Sequence, residues 1–522
     1  MREQPPAITD EVGSGAAWRA VTNSSYALVE FALPIAVALV VTPVVVEGLG
    51  PSAFGVLSLV AVTLGLFGLL DLGIGGAAMR AVAQHVEQGD LDSAARVLGT
   101  VVTTLLCIGL VGAAVIAMVT PFLVSQLLSI PTELQSDARI AFYVSAIGFP
   151  VILIVGAFAS VPKAVQRFDL STRVAVVFST VGPLATVALV VSGQGLPAIA
   201  TASLAINVVA GIVYYRLSRR LLGGRRFRMG IDTALLRGLA RFGGWFIVAS
   251  LGVTILYQVD KLLLGSLLSV AAVTYYVVPG SLANRIQGAV GAATQIVFPV
   301  SSALFVRGRQ GGLVRLYRDG TRLTFLLAAA LGVPMAVFAE PFLRYWLSPE
   351  FAERSSVVMI MLVGTYMLLG LTGVAWGLGF GSGRAKVNAL FAMGMGALDI
   401  GLLLVLVGPY GITGAALAYL LSAAIGVPAL ISYIERNVVG LSGHEFLVQW
   451  ARVLPAVVLQ VVGALLLRVV AVSLVPTIVA MTATAVALPV LYLLLRLATP
   501  GDRALLDQFI GRLRRRHPSR WR

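Results

Sequence analysis

Apolar residues run through this chain in long unbroken blocks rather than in alternation with polar ones. Fourteen such blocks follow one another, roughly at 25–47, 53–79, 97–120, 140–161, 173–192, 196–215, 242–267, 272–299, 322–343, 356–379, 387–408, 412–433, 448–469 and 474–496. About 20 apolar residues cross the hydrocarbon of a bilayer as a helix, so each block predicts a transmembrane span. A β-barrel is excluded because its strands alternate apolar and polar residues. The expected fold is all-α and polytopic, with about 14 transmembrane helices.

The connections between blocks have two characters. One set is short and nearly uncharged, such as SGQG at 192–195 and GPYG at 408–411. The other is basic: RLSRRLLGGRRFR at 216–228, VRGRQGGLVRLYR at 306–318, and the tail RLRRRHPSRWR at 512–522. The span map puts 32 of the 38 Lys and Arg residues on the N-terminal side. Four fall opposite (Arg139, Arg344, Arg354, Arg468) and two remain within spans (Lys261, Arg285). Positive loops stay cytoplasmic, so both termini are expected on the cytoplasmic side of the membrane. The net charge of +15 therefore reports topology first. Basic loops also attract anionic lipids, and no nucleic-acid partner is expected.

Composition agrees with this picture. The chain has 522 residues, 58% of them hydrophobic and 12% charged, where soluble domains carry about 25% charged residues. The opening stretch MREQPPAITDEVGSGAAWRA is polar and lacks the apolar core of a leader. One cysteine, Cys107, and three scattered histidines give no metal-ligand spacing, so no metal or cofactor is expected.

A weak internal repeat links the two halves of the chain. GLPAIATASLAINVV from Gly195 is echoed by GITGAALAYLLSAAI from Gly411, and EGLGPSAFGVLSL at 47–59 by LLGSLLSVAAVTYYV at 263–277. An even number of spans per half makes the repeats parallel, related by a pseudo-two-fold along the membrane normal, as in some transporters. The expected organisation is a cytoplasmic segment at 1–22, a first six-helix lobe at 23–216 and a basic linker at 217–241. A second lobe follows at 242–434, two extra helices at 435–497, and a basic cytoplasmic tail at 498–522. A cleft between two such lobes would open to each face in turn as they rock.

The motifs along this map are ordered. LGPSAFGVLSL and LLDLGIGGAAMR open the chain, PKAVQRFDL follows span 4, and VDKLLLGSLLSVAAVTYYVV joins spans 7 and 8. IVFPVSSAL ends span 8, RYWLSPEFA follows span 9, and GPYGITGAALAYL joins spans 11 and 12. In this order the chain resembles Wzx-type oligosaccharide flippases of the multidrug/oligosaccharidyl-lipid/polysaccharide exporter superfamily, over about 18–500, with Phe54 where many relatives carry Tyr. The resemblance implies alternating access, ion-coupled, that moves an undecaprenyl-pyrophosphate-linked oligosaccharide from the cytoplasmic to the outer leaflet. It also implies association with a polysaccharide polymerase and glycosyltransferases. By analogy with the lipid II flippase, spans 13 and 14 would hold the polyprenyl tail. The alternatives are a lipid II flippase, a cation-coupled multidrug exporter, and a membrane scaffold that transports nothing.

Ionisable residues inside hydrocarbon cost about 2.5–3.5 kcal/mol each on insertion scales and so mark candidate sites. The map leaves Glu30, Asp71, Asp260, Lys261, Arg285 and Asp399. Arg285 lies close to mid-bilayer among Asn284 and Gln287, and its planar donor fork suits a phosphate. The expected substrate-binding residues are Arg285, Lys261, Asn284 and Gln287, with Arg80 at the inner end of span 2 to meet a headgroup on entry. An ion pair of Arg285 with Asp260 or Asp399 is the structural alternative. Asp260 and Lys261 leave their helix about 100° apart, so they do not pair face to face, but Asp260 could hold Arg285 or Lys261 in one state and release it in the other. Glu30, Asp71, Asp260 and Asp399 are the candidates for ion coupling or a conformational switch. Asp71 has a second reading, a hydrogen bond into the glycine-rich LGIGGAA that fixes helix packing. No nucleophile elbow, P-loop or metal motif is present, so no enzyme is expected.

Overall fold

The computed structural model describes residues 13–68, 74–230 and 257–495, with 252 and 254 besides, the side chains of 13–32, 74, 75 and 77 excepted. Among these residues there is no strand, and eleven helices are long and apolar enough to cross a membrane. The protein is an all-α polytopic membrane protein. Its chain divides into two compact units, Met1–Gly244 and Trp245–Arg522.

The first unit contains α1 (Gly13–Phe67), α2 (Ile74–Glu87), α3 (Leu91–Phe122), α4 (Thr132–Ala164), α5 (Phe168–Val191) and α6 (Leu196–Leu221). α1 runs through two sequence blocks and is broken at Gly50, whose φ of 79° and ψ of 160° no helix holds. Leu98, Val101 and Leu105 of α3 pack with Phe149, Leu153 and Val161 of α4 in the unit's core. Val41 and Val45 of α1 pack on Val190 of α5. The basic segment after α6 is fixed: Arg225 grips Asp92 at 2.6 and 3.0 Å, and the Gly230 N–H donates to Thr103 Oγ1 at 3.2 Å.

The second unit begins, as described, with α7 (257–267). It continues through α8 (Val270–Thr294), α9 (Val297–Val306), α10 (Gln310–Val337), α11 (Ala339–Trp346) and α12 (Pro349–Gly381). It ends with α13 (Ala385–Ile434), α14 (Glu445–Leu467) and α15 (Leu474–Leu494). As one straight helix, α13 would be more than twice as long as a bilayer crossing needs. The chain solves this at Gly411, where a φ of 57° turns it back. The two arms then lie side by side: the Phe391 and Tyr433 rings sit 6.0 Å apart, and a Cβ on Gly426 would collide with the Met395 side chain. Sequence blocks 11 and 12 are thus a hairpin with almost no loop.

α12 is the unit's central helix. Gly373, Gly377 and Gly381 recur at every fourth residue on the face toward α8 and α9. Added Cβ atoms there would meet Thr294 Oγ1 at 2.6 Å and Val297 Cγ1 at 2.7 Å, and would collide with Ser301 Oγ. Without a hydrophobic drive between helices in lipid, such small residues secure close van der Waals packing. α14 and α15 belong to this packing: Val453, Ala456 and Leu488 bury against Ala329, Ala330 and Val333 of α10. Gln460 of α14 donates to the Ala330 carbonyl at 3.3 Å and the Thr484 carbonyl at 3.2 Å.

Candidate functional site

Buried charge in the second unit collects where α7, α8, α12 and α13 meet. Gly252 lets the α7 region come close to α13, since a Cβ there would stand 2.8 Å from the Met393 backbone nitrogen. That approach brings Asp260 toward Asp399, and both are 1% exposed. Asp260 Oδ1 accepts from the Lys261 backbone N–H at 2.8 Å and from Lys261 Nζ at 3.1 Å. Lys261 Nζ also donates to the carbonyl of Tyr257, one turn back.

Of the two partners open to Asp260, Lys261 is therefore the one it holds, although the two side chains leave the helix in different directions. The reason is the lysine stem: its four carbons fold back along the helix, which the angle between the Cα–Cβ bonds does not prevent. Asp260 Oδ2 and Asp399 Oδ1 have no hydrogen-bond partner among the described residues. Asp399 senses the charges of Asp260 and Lys261. Among the described residues Lys261 pairs with Asp260, and Asp399 makes no ion pair.

Tyrosines wall this cluster. Tyr276 of α8 lies within the fields of Asp260 and Asp399. Tyr257 stacks on Tyr366 of α12 at 6.2 Å, and Tyr419 of α13 sets its ring edge-on to both, at 6.5 and 5.9 Å. Gln287 donates to the Tyr257 hydroxyl. Next to this pair is a cavity of about 220 Å³, lined by Tyr257, Gln287, Gly370, Trp376 and Phe391 among others.

The predicted substrate residues divide between two faces. Gln287 points to the tyrosines, whereas the opposite side of α8 carries an exposed stripe of Ser281, Asn284, Gly288, Ala292 and Gln295, with Arg285 half-buried among them. Arg285 lies roughly four turns into α8. It makes no hydrogen bond or ion pair with another described residue, so the alternative of a pair with Asp260 or Asp399 does not form. In the first unit Arg80 is exposed on α2. Glu30 lies in α1 but its side chain falls outside the described residues, as does the whole of Asp71.

A polar network at the other end of the unit has no counterpart in the sequence reading. Glu435 is fully buried. It accepts from the Tyr317 hydroxyl and from the backbone N–H groups of Glu445 at 2.9 Å and Phe446 at 2.6 Å. Its carboxylate thereby caps α14. Arg318 pairs with Glu445 at 2.9 Å, and Gln310 holds the Val439 carbonyl at 2.6 Å. The tyrosine wall was equally hidden, although Tyr366 and Tyr419 stand alone in apolar runs, which is the signal that marks them. At the far ends of α11 and α14, Glu340 joins Arg344 at 2.6 Å and Arg468 at 3.4 Å.

Comparison with known proteins places this architecture. A family model described as "Polysaccharide biosynthesis protein" matches residues 48–356. The "Uncharacterized membrane protein EpsK" of Bacillus subtilis (strain 168) is 23% identical over 440 residues, covering 81% of this chain and 85% of its own. The "Putative O-antigen transporter" of Shigella flexneri is 22% identical over 418 residues, with 76% and 94% covered. Among solved structures, the lipid II flippase MurJ in an inward closed conformation superposes with a TM-score of 0.66 at 13% identity, over 91% of this chain and 99% of its own. An inward-facing multidrug resistance MATE transporter of the MOP superfamily gives 0.66 at 16% identity, over 78% and 98%.

Proposed function

Since the chain belongs to the polysaccharide biosynthesis protein family, we propose that this membrane transporter is a flippase for polyprenyl-pyrophosphate-linked oligosaccharide. It moves the lipid from the cytoplasmic to the outer leaflet by alternating access. The observation that carries the reading is Arg285, a guanidinium deep in a membrane helix and unpaired among the described residues, on an exposed stripe of polar and small residues. Such a charge in hydrocarbon is costly unless water or an anion meets it. A guanidinium offers a pyrophosphate two parallel charge-assisted hydrogen bonds. A cationic drug would gain nothing from it, which weighs against the multidrug reading.

Coupling to an ion rests on the other face of the same helix bundle. Asp260, Asp399 and Lys261 leave one uncompensated negative charge when all are ionised, in a site closed by tyrosine rings. A proton or a small cation removes that cost.

The test uses proteoliposomes holding a fluorescent polyprenyl-pyrophosphate oligosaccharide in one leaflet. Movement is read as loss of access to an impermeant enzyme. Losing a charged hydrogen-bond donor costs about 1.5–3 kcal/mol, so Arg285→Ala slows movement roughly ten- to hundredfold while insertion and melting temperature hold. Unchanged movement in that variant overturns the role of Arg285. Transport of lipid II but not of the oligosaccharide moves the substrate to the peptidoglycan precursor, the direction in which the MurJ likeness points.

A further inference from the structure

The first unit holds an apolar groove that the transport reading does not use. Val151, Val155 and Phe158 of α4 face Val208, Gly211 and Tyr215 of α6 around a space of about 270 Å³. These positions recur at helical spacing, so each helix presents one stripe. The groove exists because Gly211 has no side chain, and a Cβ there would already stand 3.2 Å from Val155 Cγ2. Its lining is apolar along its length.

One end of the groove is walled by rings. Phe158, Tyr215 and Phe227 meet one another at 5.4, 5.6 and 5.7 Å. Phe227 is held there because the segment carrying it is tied to α3 by Arg225 and Asp92, while the Arg228 carbonyl lies against Gly99. Beyond the rings the α6 stripe turns cationic. Arg216 follows Ile212, another lining residue, by one helical turn, and Arg219 follows Tyr215 by one turn. Both arginines are exposed. Arg219 Nε holds the Gly224 carbonyl at 3.2 Å, and Arg216 has no partner among the described residues.

We propose that this groove binds an anionic two-chain phospholipid of the phosphatidylglycerol type, with one acyl chain between α4 and α6 and the phosphate between Arg216 and Arg219. Straight hydrocarbon suits a shallow, open apolar groove lined by Val and Gly. The headgroup phosphate sits a few bonds from the chain, as the cationic turn sits one turn from the groove. Because the loop is already fixed by Arg225, the site is organised before the lipid arrives.

The experiment is native mass spectrometry of the purified full chain, titrated with dioleoyl phosphatidylglycerol and, separately, dioleoyl phosphatidylethanolamine. Two arginines near a headgroup are expected to favour the anionic lipid roughly ten- to thirtyfold. Arg216→Gln with Arg219→Gln removes that preference, whereas Arg226→Gln with Arg228→Gln keeps it. Gly211→Leu fills the groove and weakens binding of both lipids. Should that variant fail to fold, a chain-length series on the native protein takes its place, with dihexanoyl lipid binding more weakly. A preference that survives the Arg216/Arg219 change, or affinity indifferent to chain length, overturns the proposal. So does a polyprenyl phosphate that displaces phosphatidylglycerol at equal concentration, because the groove would then belong to the transported lipid.

Discussion

At the scale of single residues, the second unit separates two sets of residues that the sequence had pooled. Arg285 lies on one side of α8, and Gln287 joins the tyrosine wall on the other. The difference follows from helical rotation: two positions apart, side chains point to nearly opposite faces. Asp399 is the residue that tests the coupling reading. Asp399→Asn keeps the shape and removes one of the two buried carboxylates of the cluster. Transport in that variant should lose its response to an imposed pH or sodium gradient, while melting temperature holds or rises. Gradient-driven transport that matches the native chain would remove the cluster from the coupling step. Arg285 was legible in advance because a charge in an apolar run is conspicuous. The pairing of Asp260 with Lys261 was legible only as one of two options, because side-chain flexibility rather than helical phase decides it.

At the scale of elements, breaks and caps matter more than the helices. The α13 hairpin turns at Gly411 without a loop, so the block boundary at 408–411 was readable but the side-by-side packing of its arms was not. The start of α14 depends on Glu435, which is far from it along the chain by helical standards yet accepts its first backbone N–H groups. Replacing this carboxylate leaves those groups and the Tyr317 hydroxyl unpaired. Glu435→Ala should therefore cost about 1–3 kcal/mol per orphaned group, measured as a lower melting temperature in detergent. Glu435→Gln should cost less, because its carbonyl oxygen can still accept. Equal stability of all three proteins would mean that the cap does not hold α14.

At the scale of the whole molecule, each unit closes its own core. The first is centred on α3 and α4, and the second on α12 with α14 and α15 fastened to α10. α14 and α15 are thus built into the second unit's packing, although the repeat expected from the sequence leaves them out. Deleting residues 445–522 should strip the cover from α10 and leave Glu435 without the α14 amides. The truncated chain is expected to accumulate poorly in membranes, whereas 1–230 and 231–522 produced together accumulate as inserted fragments. The readout is the detergent-extracted, monodisperse yield of each, and a truncated chain as abundant and stable as the native one would refute the dependence.

The sequence by itself determined the class of the molecule. Continuous apolar blocks leave helices as the structures that satisfy their backbone groups in lipid, and the ordered motifs pointed to the exporter superfamily. It also marked the costly charges at Lys261, Arg285, Asp260 and Asp399. Only the tertiary structure decided which of these charges meet. Proximity in a bundle is set by close approaches such as Gly252 against Met393 and Gly381 against Ser301, and these join residues far apart in the chain. Periodicity along one helix carries no information about the helix across from it.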